Sequence, residues 1–212
     1  MLPIDRTGWF FVRLIVVYGV LLAPWPGLAG GYAVFYRAGA NVLFGSLGSA
    51  GQATFQPKTD PGAKTGNRKF DSEVVIKTRK PGRAGEVLVY TRDVPFHTRR
   101  VGYLSTALVV ALIAATSMRW GRKWASLAVG LVLVHLFIAV EIGLTLLYSL
   151  SDGEPRAIDV GAGAGRFFAR LYEMMVISPT LTFVVPILIW LLVCVRWRDL
   201  ERLGRRGDSS TP

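Results

Sequence analysis

The sequence predicts an all-α membrane protein, a four-transmembrane-helix bundle with a small extracytoplasmic domain that contains a β-hairpin. Three observations predict it. Hydrophobic residues make up 51% of the 212-residue chain and charged residues 18%, below the roughly 25% charged residues of soluble proteins. Four apolar runs reach at least the length of about 17–25 residues that crosses a bilayer. Lys and Arg flank those runs and the chain carries a net charge of +11, which together with its hydrophobicity suggests apolar spans with basic flanks rather than a soluble nucleic-acid binder.

Met1 to Gly8 is a polar lead with Asp5 and Arg6. Trp9 to Leu28 is the first span, so residues 1–28 hold the lead and span one. Arg13 lies one turn inside, close enough to snorkel to the interface, and Trp9 and Trp25 bracket the run as interfacial anchors. Pro24 and Pro26 end the helix, because proline lacks the backbone donor and clashes with the preceding turn. A cleaved signal peptide is the competing reading, with Arg6 as its basic start and Ala29 near a cut site. Arg13 within the apolar core and the full span length speak against it.

Residues 29–100 form the extracytoplasmic domain. Tyr32, Phe35, Tyr36, Leu43 and Leu47 recur at near-helical spacing, which predicts an amphipathic helix lying on the membrane or packed on the domain that follows. Gly48 to Asn67 is rich in Gly, Pro and polar residues and reads as loop. Phe70–Lys80 and Gly85–Asp93 alternate as strands do, with Val74, Ile76 and Thr78 on one face of the first and turn residues Pro81 to Gly85 between them. A lone hairpin is marginal in water, so a further strand near Ala53 to Gln56, or packing on the membrane segments, is required.

Residues 101–150 form a helical hairpin of two spans, Val101–Met118 and Trp124–Leu150, joined by a tight basic loop containing Arg119, Arg122 and Lys123. Residues 151–173 form an outer loop or short helix. Residues 174–195 are the fourth span, with Pro179 and Pro186 inside it, where neighbouring helices can satisfy the freed carbonyls. Residues 196–212 are a basic tail carrying five arginines. Short-loop charge places that tail and the 119–123 turn in the cytoplasm. Both termini are then cytoplasmic in a multi-pass membrane protein. The outer region has twelve Lys/Arg against five Asp/Glu, a net +7, which long loops tolerate.

The stretch Ala157 to Phe168, AIDVGAGAGRFF, resembles a glycine-rich phosphate loop, but such a loop must open a βαβ unit. Here it lies between membrane spans, so no cofactor is expected, and its small residues suit a tight turn or close helix contact. Ionisable groups inside a span are costly and often mark function, which singles out His135 and Glu141. Six residues apart, they lie about 120° around the helix and about 9 Å along it, so they cannot share the i, i+4 face of a helical metal site. Tyr18 and Thr182 fall at a depth similar to that of Glu141. The four residues Glu141, Tyr18, Thr182 and His135 are the candidate intramembrane polar cluster, with Glu141 held by the two hydroxyls as a structural tie between helices. No catalytic, cofactor or metal residue is predicted. His97 reads as an interfacial polar group, and the single cysteine, Cys194, as an inert apolar thiol.

The segment Leu21 to Asn41, LLAPWPGLAGGYAVFYRAGAN, resembles small bacterial inner-membrane proteins that accompany exosortase systems. The resemblance implies a first span ending in prolines, an amphipathic helix, a β-rich extracytoplasmic region and further spans, with an accessory or assembly role. Exosortases themselves use a membrane-proximal Cys with Arg and His on the outer side. Cys194 falls at the inner end of its span, so that role does not carry over. The expected function is therefore a non-enzymatic accessory or scaffold protein that presents a basic outer domain to a membrane or extracytoplasmic protein partner. Membrane lipids are its other partners and nucleic acid is not one. The rival is a membrane-embedded enzyme or small transporter subunit using Glu141 and His135.

Overall fold

The computed structural model describes residues 6–47, 51–58, 71–81, 87–151, 161–178 and 180–194. It is mostly helical with one small antiparallel sheet. The order is α1 (Arg6–Leu22), α2 (Trp25–Phe44), β1 (Gln52–Pro57), β2 (Ser72–Pro81), β3 (Val87–Phe96), a π-helical turn (Arg99–Tyr103), α3 (Leu104–Ala115), α4 (Trp120–Ser151), α5 (Ala162–Tyr172), a second π-helical turn (Glu173–Ile177) and α6 (Thr180–Cys194).

Several boundaries differ from those read in the sequence. The first helix ends at Leu22, and Trp25–Leu28 open α2 instead of closing the first span. Pro26 is then the second residue of α2, a position where a missing N–H costs nothing. The basic loop shrinks to residues 116–119, because nothing after Trp120 breaks a helix; Arg122 and Lys123 join the first turn of α4. The proposed fourth span divides at Ser178, whose extended backbone (φ −72°, ψ 122°) is the one imposed on a residue before proline, while Pro186 stays within α6. The glycine-rich stretch opens α5. A Cβ on Gly163 would meet nothing within 4 Å, so close helix contact is not its reason. The hairpin turn after Pro81 and the arginine tail lie outside the described residues.

Span lengths differ as well. Among the described residues only α4, with 32 residues, is by itself long and apolar enough to cross a membrane. Thr7–Leu22 with Trp25–Phe44, and Gly163–Val176 with Thr180–Cys194, reach that length only as broken pairs, giving up to three spans. The 12-residue α3 is about 18 Å long.

The chain forms two compact units. The first contains residues 1–24, 104–136 and 182–212. Its core is the apolar interior of α3, with Val109, Ala111 and Ile113 fully buried. A Cβ on Gly130 of α4 would lie 2.8 Å from Ile113 Cδ1 and 3.1 Å from Val109 Cγ1, so glycine lets α4 approach α3 closely. Ser105 Oγ donates to the Thr182 carbonyl (3.2 Å). One end of this unit gathers the start of α1, the end of α3, the start of α4 and the end of α6. Arg122 Nη2 donates to the Cys194 carbonyl (2.6 Å) and Lys123 Nζ to the Ala114 carbonyl (3.0 Å). Lys123 thus satisfies an orphan carbonyl in the last turn of α3, where the dipole favours positive charge. Trp9, Trp120 and Trp124 are exposed at the same end, the placement of an interfacial aromatic belt.

The second unit contains residues 25–103 and 137–181. Its sheet has the order β1-β2-β3, antiparallel throughout, with Phe55 opposite Val74 and Ala53 opposite Ile76. Ala53, Phe55, Val74, Ile76 and Thr78 are buried on one face, the alternation legible in β2. The strand anticipated near Ala53 to Gln56 is β1. Gly51, at φ +131°, turns the chain into β1 so close to β2 that a Cβ would collide with the Lys77 carbonyl oxygen.

Candidate functional site

The richest polar cluster lies in the second unit, where the sheet feeds back into helix. The residues of α2 build one wall. Trp25, Ala33, Tyr36 and Ala40 are its buried positions, spaced so that one helix face turns inward. Tyr36 packs on Phe96 at the end of β3, with ring centroids 5.4 Å apart, and Phe96 in turn packs on Phe55 at 5.9 Å. Trp25 and Tyr32 both meet Tyr103, at 4.4 and 5.3 Å. Two residues further along α2 reach the sheet itself. Asn41 Nδ2 donates to the Phe55 carbonyl (3.0 Å) while its Oδ1 accepts the Phe55 N–H (2.7 Å). Arg37 Nη1 donates to Ser72 Oγ (3.0 Å), and Ser72 is fully buried.

The other wall is the β3–α3 junction. Asp71, immediately before β2, accepts the Thr98 backbone N–H on Oδ1 (3.1 Å) and the Thr98 hydroxyl on Oδ2 (2.7 Å). A carboxylate at a helix start satisfies orphan donors and meets the positive end of the dipole. His97 Nδ1 lies 3.5 Å from the same Oδ2, an ionic distance without hydrogen-bond alignment. The Arg99 guanidinium stands 5.7 Å from the Trp25 ring centroid, within cation–π range.

Glu141 enters from α4. It is buried, beside the stripe Ile138, Ile142, Leu146 and Leu150, and within electrostatic reach of Tyr36 and of Arg100. Two turns on, Arg92 Nη1 of β3 donates to the Ser149 carbonyl (2.8 Å), closing the C-terminal end of α4 from the sheet. Tyr148 and Tyr172 stack face to face at 4.3 Å and bring α5 to the same helix end.

Of the predicted cluster, Glu141 belongs to this unit, whereas Tyr18, His135 and Thr182 belong to the other. Thr182 is buried, with its carbonyl taken by Ser105. Tyr18 is half-buried in α1. His135 is exposed and turns Nδ1 to the Leu131 carbonyl of its own helix (2.8 Å). Asp71, Thr98, Arg37 and Asn41 were not singled out by sequence. Asp71 and Thr98 are 27 residues apart, and only strand pairing brings them together. Among the described residues no three His, Cys, Asp or Glu side chains gather as metal ligands do. The chemistry of the site is cohesive: carboxylate, amide and guanidinium groups join helix ends and strand edges.

Comparison with protein families matches residues 5–197 to the family described as exosortase H-associated membrane protein. The chain belongs to that family. Membership of the exosortase H-associated family covers α1 through α6 and both units, so the sheet and its helical mountings are within the family's own span. No curated protein and no solved structure matches the chain.

Proposed function

We propose that this member of the exosortase H-associated family is a non-catalytic accessory protein that presents its sheet domain, on the outer side of a bacterial inner membrane, to the exosortase for which the family is described. In this reading the chain crosses the membrane four times and both termini are cytoplasmic. The basic end of the first unit faces the cytoplasm, as short-loop charge requires. Glu141, Tyr18, His135 and Thr182 act as structural polar groups rather than as a relay.

The observation that carries the reading is the use made of the polar side chains in the second unit. Asp71, Asn41, Arg37 and Arg92 each make hydrogen bonds that fix the sheet to helical segments. A platform held this way displays a surface, and Lys77 lies exposed on β2. The exposure of His135 favours this over the rival in which it works with Glu141.

The test is affinity purification of the tagged chain from its native membranes. Exosortase is expected to co-elute, and Lys77→Glu, which reverses a charge on the displayed strand without touching the core, is expected to lower its recovery severalfold. Recovery of the chain in full yield with no exosortase sinks the proposal.

A further inference from the structure

The first unit holds a cavity that the accessory role leaves unused. It has a volume of about 630 Å3 and is lined by Trp9, Phe10, Arg13, Ala115, Thr116, Ser117 and Trp190. That volume lies in the roughly 300–1,000 Å3 range of small-ligand sites. The start of α1, the end of α3 and the middle of α6 supply its walls, and all three belong to one unit.

Its lining is divided. On one side Phe10 and Trp190 stack with centroids 5.6 Å apart. Trp190 is fixed there because its Nε1–H donates to Thr116 Oγ1 (2.8 Å), which itself donates to the Leu112 carbonyl (2.7 Å). On the other side Arg13 Nη1 donates to Ser117 Oγ (3.2 Å), and the guanidinium lies 6.0 Å from the Trp9 ring centroid. A guanidinium has five donors in a planar fork. Ser117 holds one of them, which orients the fork, and the Ser117 hydroxyl proton remains available to a second acceptor. Trp9, which lines the cavity, is exposed, and at the same end of the unit Arg122 and Lys123 add positive potential while bound to backbone carbonyls.

We propose that this cavity binds the phosphodiester headgroup of an anionic phospholipid. Arg13 and Ser117 take the phosphate oxygens, and the aromatic wall of Phe10 and Trp190 takes the first part of an acyl chain. Planar bidentate recognition makes arginine the preferred partner of phosphate, and basic pockets between membrane helices bind such headgroups. An apolar wall continuous with the phosphate site selects a lipid over a free anion. The site does not depend on the exosortase partnership and stands or falls separately from it.

The test is native mass spectrometry of the full chain in detergent, with phosphatidylglycerol or phosphatidylcholine of matched acyl chains added, and with inorganic phosphate as the free-anion arm. Phosphatidylglycerol is expected to be retained about tenfold or more over phosphatidylcholine. Arg13→Gln should abolish that preference, since a charge-assisted hydrogen bond lost is worth about tenfold or more in affinity. Ser117→Ala should weaken it severalfold without disturbing the helices, and Arg119→Gln, which changes an exposed charge outside the cavity, should leave it intact. Equal loss in Arg13→Gln and Arg119→Gln would overturn the site in favour of diffuse attraction. Displacement of the lipid by millimolar phosphate would overturn the lipid as its occupant, and equal retention of both lipids by the wild-type chain would overturn the proposal outright.

Discussion

Asp71 has the most consequential position of any single side chain described. Its two oxygens hold both the backbone and the hydroxyl of Thr98, and Thr98 is fully buried, so removing the carboxylate strands two donors where water does not reach. Hydrogen bonds to a charged group are each worth about 1.5–3 kcal/mol, and an orphaned buried donor adds its desolvation cost. Asp71→Ala is therefore expected to destabilise the second unit by about 2–4 kcal/mol, read as a lowered unfolding midpoint in detergent. Thr98→Val in the Asp71→Ala background should then cost much less than in the wild type, because the two residues form one interaction. Additive losses would show that they do not. Nothing local in the sequence marks this pair. Aspartate before a strand and threonine before a helix are each common, and only the register of β2 against β3, with Ser72 opposite Phe96, puts them together.

Elements whose structure follows from period are the ones the sequence makes readable. Val74, Ile76 and Thr78 alternate and are buried alternately, and the shortage of partners for a lone hairpin correctly calls for β1. Where a helix stops depends on subtler chemistry. Ser178 breaks the fourth apolar run because Pro179 follows it, while Pro186, equally visible in sequence, is absorbed within α6. The edge of β1 was likewise illegible: Asn41 meets the Phe55 N–H and carbonyl from α2, shielding an edge that would otherwise offer itself to another chain. Helix packing gives the prediction at this scale. Gly130→Leu forces a side chain into Ile113 and Val109, and overpacking of this kind costs about 1–3 kcal/mol. Gly121→Leu on the same helix, where a Cβ would meet nothing within 4 Å, should be neutral. Equal unfolding midpoints for the two variants would refute close packing of α3 and α4.

For the molecule as a whole, the testable quantity is sidedness. Cys194 is the single cysteine, so Cys194→Ala provides a thiol-free background. In it, Lys77→Cys on β2 should react with a membrane-impermeant maleimide on cells with a permeabilised outer membrane. Arg119→Cys, just before α4, should react only after the inner membrane is opened. The opposite pattern inverts the proposed topology, and labelling of both from outside removes the crossing by the 101–118 run that contains α3. The long apolar stretch in α4 was evident from composition alone, whereas the number of other crossings was not, since α3 and α6 are short helices whose apolar sequence extends past their ends. The length of α4 has one more consequence. Trp124 to Leu150 amounts to about 40 Å of helix against a hydrocarbon core of about 30 Å. Such a mismatch is met by leaning the helix or thickening the lipid around it. Because Arg122 and Lys123 tie its first turn and Arg92 ties its last, a change in bilayer thickness is felt as a load on those attachments, and the thickness of the host membrane becomes a variable in the stability of the protein.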